Sequence, residues 1–101
     1  MKLGTVIGRV TLSVTVPALE GGRWLVVSPQ SHGQLKESQD PADVRVGPDS
    51  SLIAWDDLGA GVGETIGYVE GREAASVFEK PTPIDAINAA LIDHIFYNPK
   101  A

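Results

Sequence analysis

The sequence predicts a mainly β fold, a small barrel, and three observations carry the prediction. Val10, Leu12, Val14 and Val16 alternate strictly with Thr11, Ser13 and Thr15, the period of a half-buried strand rich in β-branched residues. Gly4, Val6 and Gly8 share the parity of the apolar side; glycines there leave room for a bend or a close backbone approach, as in a small barrel. Further β-type runs stand at Arg23–Val27, Leu52–Trp55 and Thr65–Val69, set apart by turn residues.

Pro17 ends the first strand, and Glu20-Gly21-Gly22 turns the chain into the second, Arg23–Val27. From Ser28 to Ser51 the chain holds Pro29, Gly33, Pro41, Gly47 and Pro48 and few large apolar residues. That composition predicts a mostly exposed loop, with a short edge strand at Val44–Val46. Leu52–Trp55 is the third main strand and Thr65–Val69 the fourth. Arg72–Val77 suits one or two helical turns stopped before Pro81. Ile84, Ile87, Leu91 and Ile95 then stand three and four apart, and Ala86, Ala89 and Ala90 favour helix. Pattern alone therefore predicts a helix over 84–95.

Composition narrows the function classes. The 101 residues fit a single domain, 1–101, with 43% hydrophobic and 21% charged residues. So small a core is marginal alone and gains from docking with copies of itself. The chain has no cysteine, which excludes disulfide staples and thiolate metal sites. A net charge of −5 and a pI near 4.8 argue against a nucleic-acid or anionic-membrane partner. Met1–Val6 lacks the apolar core of a signal peptide, and no apolar run approaches the roughly 20 residues that span a bilayer. A soluble cytoplasmic protein is expected.

Between the third and fourth strands lies Asp57-Leu58-Gly59-Ala60-Gly61-Val62-Gly63-Glu64. A dinucleotide fingerprint needs G-x-G-x-x-G opening a helix. Here the sixth position is Glu64, a strand comes next, and Asp56, Asp57 and Glu64 would repel an anion. The remaining readings are a tight β–β turn with glycines at positive φ, and a turn that approaches another backbone closely.

Three stretches give the chain a resemblance, nearly end to end, to the EutN/CcmL family of microcompartment and carboxysome shell vertex proteins. The first is Gly4-Thr5-Val6-Ile7-Gly8-Arg9-Val10, with Leu19-Glu20-Gly21 and Leu25-Val26-Val27 after it. The second is Asp56–Glu64, similar to the family's D-x-x-G-A-G-x-G-E. The third is Gly71-Arg72-Glu73-Ala74-Ala75, followed by Pro83-Ile84-Asp85-Ala86 and Leu91-Ile92-Asp93. The segment Ser28–Ser51 is longer than usual for the family. Ala90 stands where glycine is common, and Asn88 where an apolar residue is common.

The resemblance implies a closed, OB-like β-barrel with one short helix, and a strand over much of 84–95 in place of the helix. It implies a homopentamer that caps the vertices of a microcompartment shell, giving curvature and sealing the lumen, beside hexameric and trimeric shell proteins. By the same resemblance Gly59, Ala60, Gly61, Gly63 and Glu64 lie at or near the subunit interface or central axis. The competing account of the acidic residues has Asp56 capping the turn and Glu64 pairing with a nearby cation. Asn88 is expected to face an interface or solvent, either of which would strain the strand register.

No residue pattern points to catalysis, a metal or a cofactor, and the chain is not expected to be an enzyme. His32 and His94 are too few for a metal cluster. His94 beside Asp93 would point to the opposite face of a strand. Ser13, Ser28 and Ser31 lack a nucleophile setting. Trp24, Trp55, Tyr68, Phe78, Phe96 and Tyr97 suit core or interface packing. The alternative, an OB-like module that stacks single-stranded bases or another ligand on those rings, conflicts with the acidic charge.

Overall fold

The computed structural model describes residues 1–31, 33–34 and 46–98. Five strands, β1 (Lys2–Val10), β2 (Arg23–Pro29), β3 (Leu52–Asp56), β4 (Thr65–Glu70) and β5 (Ala86–Leu91), close into a barrel. The order around it is β1-β2-β3-β5-β4, returning to β1. All ladders are antiparallel except β3–β5, which is parallel at Trp55 and Ile87. The fold is thus mostly β and closed, as the sequence predicts. Closure removes every sheet edge.

The first strand is displaced from its expected place. The alternating stretch after Val10 belongs to no strand, and Leu12, Val14 and Val16 are exposed. The strand lies instead at Lys2–Val10, where the backbone finds ladder partners on both sides, β2 and β4. A bulge between Val6 and Gly8 inserts Ile7 and changes the parity of the residues after it. Gly4 and Gly8 therefore sit on opposite faces: a Cβ on Gly4 would meet Val27, a core residue, and one on Gly8 would meet Val26.

At Gly4 that added carbon would collide with the Val27 side chain and lie 3.0 Å from the Tyr68 ring. Both neighbours are fully packed, so neither yields cheaply. Gly4→Ala is expected to cost about 1–3 kcal/mol, read as a lower urea midpoint at unchanged slope. An unchanged midpoint would show that the interior gives way there.

β2 runs two residues further than expected, pairing Ser28 with Thr5 and Pro29 with Gly4. The expected loop therefore begins after Pro29. Its returning end is tied down where Gly47 N–H donates to Ser28 Oγ at 2.8 Å. Val44 and Arg45 of the expected edge strand lie outside the described residues, and Val46 is in no strand. The helical turns expected at Arg72–Val77 are a 3-10 helix, Gly71–Val77.

The 84–95 stretch forms a strand over Ala86–Leu91, not a helix. Helical propensity loses to the barrel, because without this strand the facing edges of β3 and β4 would go unpaired. Inside the barrel Val6, Leu25, Val27, Ala54, Ala60, Ile66, Tyr68 and Ala86 form the main core. A second cluster of Leu19, Trp55, Ala74 and Ile87 packs under the 3-10 helix with Phe78 and Ile84 against it. The Trp55 indole N–H donates to the Leu19 carbonyl at 3.1 Å, which fixes that end of the barrel.

Candidate functional site

The glycine-rich loop between β3 and β4 is organised around one buried carboxylate. Asp56, the last residue of β3, is fully buried. Its Oδ1 accepts the Leu58 N–H at 3.0 Å, and its Oδ2 accepts those of Gly59 at 3.1 Å and Ala60 at 3.0 Å. The Asn88 side-chain amide, on the neighbouring strand β5, adds a fourth bond to the carboxylate at Oδ1, at 2.9 Å. A buried carboxylate requires such saturation, since an unpaired buried charge is very costly.

Wrapping three successive amides around one carboxylate forces the chain into a tight coil at Gly59, whose φ is +89°. The coil carries Ala60 back inside, where it is fully buried in the main core. The loop then makes a second turn. Glu64 N–H donates to the Gly61 carbonyl at 3.1 Å, and the Gly61 N–H donates to Glu64 Oε1 at 2.7 Å. Gly63, at φ +96°, donates to the Val6 carbonyl at 2.8 Å, while Val6 N–H donates to the Glu64 carbonyl at 2.9 Å. Residues other than glycine rarely adopt such φ values.

Two expectations are settled at atomic detail. The capping account of Asp56 holds; Glu64, expected on that account to pair with a nearby cation, instead closes its own turn by accepting the Gly61 N–H. Asn88 faces neither solvent nor a partner; it points inward and is almost fully buried. Its Oδ1 also accepts the Ala90 N–H at 3.2 Å, beside the β4–β5 ladder irregularity. The register is repaired by the side chain that was expected to strain it. A polar residue in an apolar strand is the only sequence signal of that role.

The phosphate reading conflicts with the same bonds. The amides of Leu58, Gly59, Ala60, Gly61, Gly63 and Glu64 all have intrachain acceptors, so they form no anion cradle. Outward the loop shows apolar side chains, Leu58 at 47% exposed and Val62 at 60%. Of the five residues singled out in the sequence, Gly59 and Glu64 are exposed, Gly61 and Gly63 half-buried, and Ala60 lies beneath them.

Elsewhere, Trp55 and Tyr68 are buried and Trp24 and Phe78 pack against the second cluster, whereas Phe96 is 92% exposed. His94 and Asp93 lie past the end of β5 and do touch, at 3.5 Å, with both side chains exposed. His32 lies outside the described residues. Among the described residues no three His, Asp or Glu side chains converge on a point that would hold a metal ion, and no helix is long and apolar enough to cross a membrane.

The family description "Ethanolamine utilisation protein EutN/carboxysome" matches residues 1–93. The chain belongs to the EutN/CcmL family. Among solved structures, the pentameric shell protein MSM0273 from the RMM microcompartment is 31% identical, with 91% of this chain and all of that one covered and a TM-score of 0.68. The GrpN pentameric microcompartment shell protein from Rhodospirillum rubrum is 26% identical over 97% of this chain and 99% of that one, with a TM-score of 0.74. Gloeobacter violaceus CcmL is 26% identical over the whole of both chains, with a TM-score of 0.75. A comparison with curated protein sequences gave no match.

Within this EutN/CcmL chain the family's glycine-rich motif is thus a self-capped loop. Its amides are used internally, Ala60 is buried beneath it, and the apolar side chains of Leu58 and Val62 are left to face outward.

Proposed function

We propose that this chain is a structural subunit whose homopentamer caps the vertices of a microcompartment shell in the cytoplasm. There it introduces curvature and seals the lumen, and it is not an enzyme. The observation that carries the reading is the match, over nearly the full length of both chains, to two shell proteins described as pentameric. Around a five-fold axis each subunit offers one face to a different face of the next, and the ring closes when the rotation permits. Hexameric and trimeric shell proteins are the partners that a vertex of this kind would meet at its rim.

In this reading the loop Gly59–Glu64 lies at the subunit interface or central axis. Gly59, Gly61, Gly63 and Glu64 form the approaching surface, and Ala60 anchors it from inside the barrel. The internal capping by Asp56 and Glu64 supports the placement, because a loop that uses its own amides presents a fixed shape that needs no reordering on assembly. Native mass spectrometry is expected to give a species of five times 10.7 kDa, and a stable monomer at micromolar concentration would overturn the proposal.

A further inference from the structure

The geometry points to a subunit contact in which Phe96 of one copy enters an open apolar groove on the next. The groove, about 720 Å³, is lined by Trp55, Leu58, Val69, Val77, Phe78 and Ile87 among others. Trp55 and Phe78 already meet edge to face in its wall, with ring centroids 5.0 Å apart, and an aromatic pair of this kind offers both a face and an edge to a third ring. Val77, on the rim, is 66% exposed. Asp57, Glu73 and Ser76 also line the groove, so it offers an aromatic side chain an apolar wall with polar groups beside it.

The chain carries a matching projection. β5 ends at Leu91; past it Ile92 N–H still donates to the Thr65 carbonyl at 3.0 Å, and Ile92, Ile95 and Tyr97 stay half-buried while Phe96 between the last two faces out. Beyond that point Phe96 is 92% exposed, the highest exposure of any large apolar side chain among the described residues. The start of this segment and the groove lie at opposite ends of the β4–β5 ladder. The segment starts beside the Ile66–Leu91 pair, whereas the groove adjoins Val69–Ile87. Phe96 does not fill the groove of its own chain, since its side chain stands in solvent.

A second copy of this chain is the occupant that these positions favour. A projection on one end and a receptor on the other are the two unlike halves of a heterologous contact, the kind that closes into a ring. The groove is also continuous with the glycine-rich loop through Leu58, so the inference rests on the proposed placement of that loop at the interface and extends it. A phenylalanine buries about 150–250 Å², a useful share of the roughly 800 Å² per partner in a stable interface.

The native chain has no cysteine, which makes a cross-link unambiguous. Ile95→Cys places a thiol beside Phe96, and Val77→Cys places one on the groove rim. Treating the double variant with a short bis-maleimide is expected to give a covalent ladder of up to five chains on a denaturing gel. Single-chain product alone, from material whose ring mass is intact, overturns the Phe96 contact and leaves the pentamer standing, the groove then serving another partner. Monomeric wild-type protein overturns both. Independently, Phe96→Ala is expected to raise the concentration at which the ring half-dissociates about tenfold or more, with the larger part of that restored by Phe96→Leu. Unchanged dissociation on dilution in the alanine variant contradicts the contact.

Discussion

Asp56→Ala is expected to be the most damaging single substitution in the chain, lowering unfolding stability by about 3–5 kcal/mol. The carboxylate takes four hydrogen bonds, three from successive loop amides and one from Asn88. Alanine leaves those donors facing one another without an acceptor, those of Ala60 and Asn88 at a buried place. A domain of this size commonly has about 5–15 kcal/mol in total, so the loss is a large share of what holds the barrel together. Asp56→Asn keeps the shape but turns a donor toward the amides of Gly59 and Ala60, and is expected to be nearly as harmful. Asn88→Ala removes its bond to Asp56 and the one its Oδ1 accepts from Ala90 N–H, leaves Leu58 on the same carboxylate oxygen, and should cost about 1–3 kcal/mol. Urea unfolding at one fixed chain concentration measures all three, because assembly adds to apparent stability. An Asp56→Ala loss under about 1 kcal/mol, the size of one ordinary hydrogen bond, would show that the loop has another means of support.

How much of the fold is legible in the sequence differs from element to element. Arg23–Val27, Leu52–Trp55 and Thr65–Val69 are β-type runs in a chain with clear turn residues between them, and each forms a strand. Thr11–Val16 has the better alternation yet lies outside the sheet, whereas Lys2–Val10, with two glycines, is inside it. Local pattern reports what a segment tolerates; ladder partners on both sides decide what it does. Ala86–Leu91 shows the same override from the other direction, a helix-prone run drawn into the last place in a closed sheet.

The candidate site divides along the same line. The glycines, and the possibility that Asp56 caps the turn, are local features, legible because the partners lie within four residues. The Asn88 bond to Asp56 spans 32 positions and depends on the parallel β3–β5 pairing, which no window of sequence contains. Ala60 reads as one small residue among glycines, and only the coil around Asp56 turns it into the core. What sequence alone leaves open is thus the inward half of the loop, and that half determines which side chains remain outside to meet a partner.

Val62→Asp is expected to abolish the ring while leaving the subunit folded. Val62 is 60% exposed, on a loop whose backbone is fixed from within by Asp56, Glu64 and Val6, so the barrel itself should lose no more than about 0.5 kcal/mol. If the loop approaches the five-fold axis as proposed, the variant sets five new carboxylates around it. At separations of about 10 Å and an effective dielectric near 20, each adjacent pair repels by about 1.7 kcal/mol, and the apolar contact of five valines is lost as well. Glu64, already on the same loop, adds charge of the same sign. The expected native mass is that of a single chain, with a far-ultraviolet spectrum like the wild type. Raising the salt concentration should recover part of the ring, because it screens the repulsion but does not restore the apolar contact. The neutral Val62→Asn, which loses only that contact, should assemble better than Val62→Asp at low salt and respond little to added salt. A Val62→Asp ring as stable as the wild type would place the loop away from both axis and interface, and the self-capped coil would then serve the barrel alone.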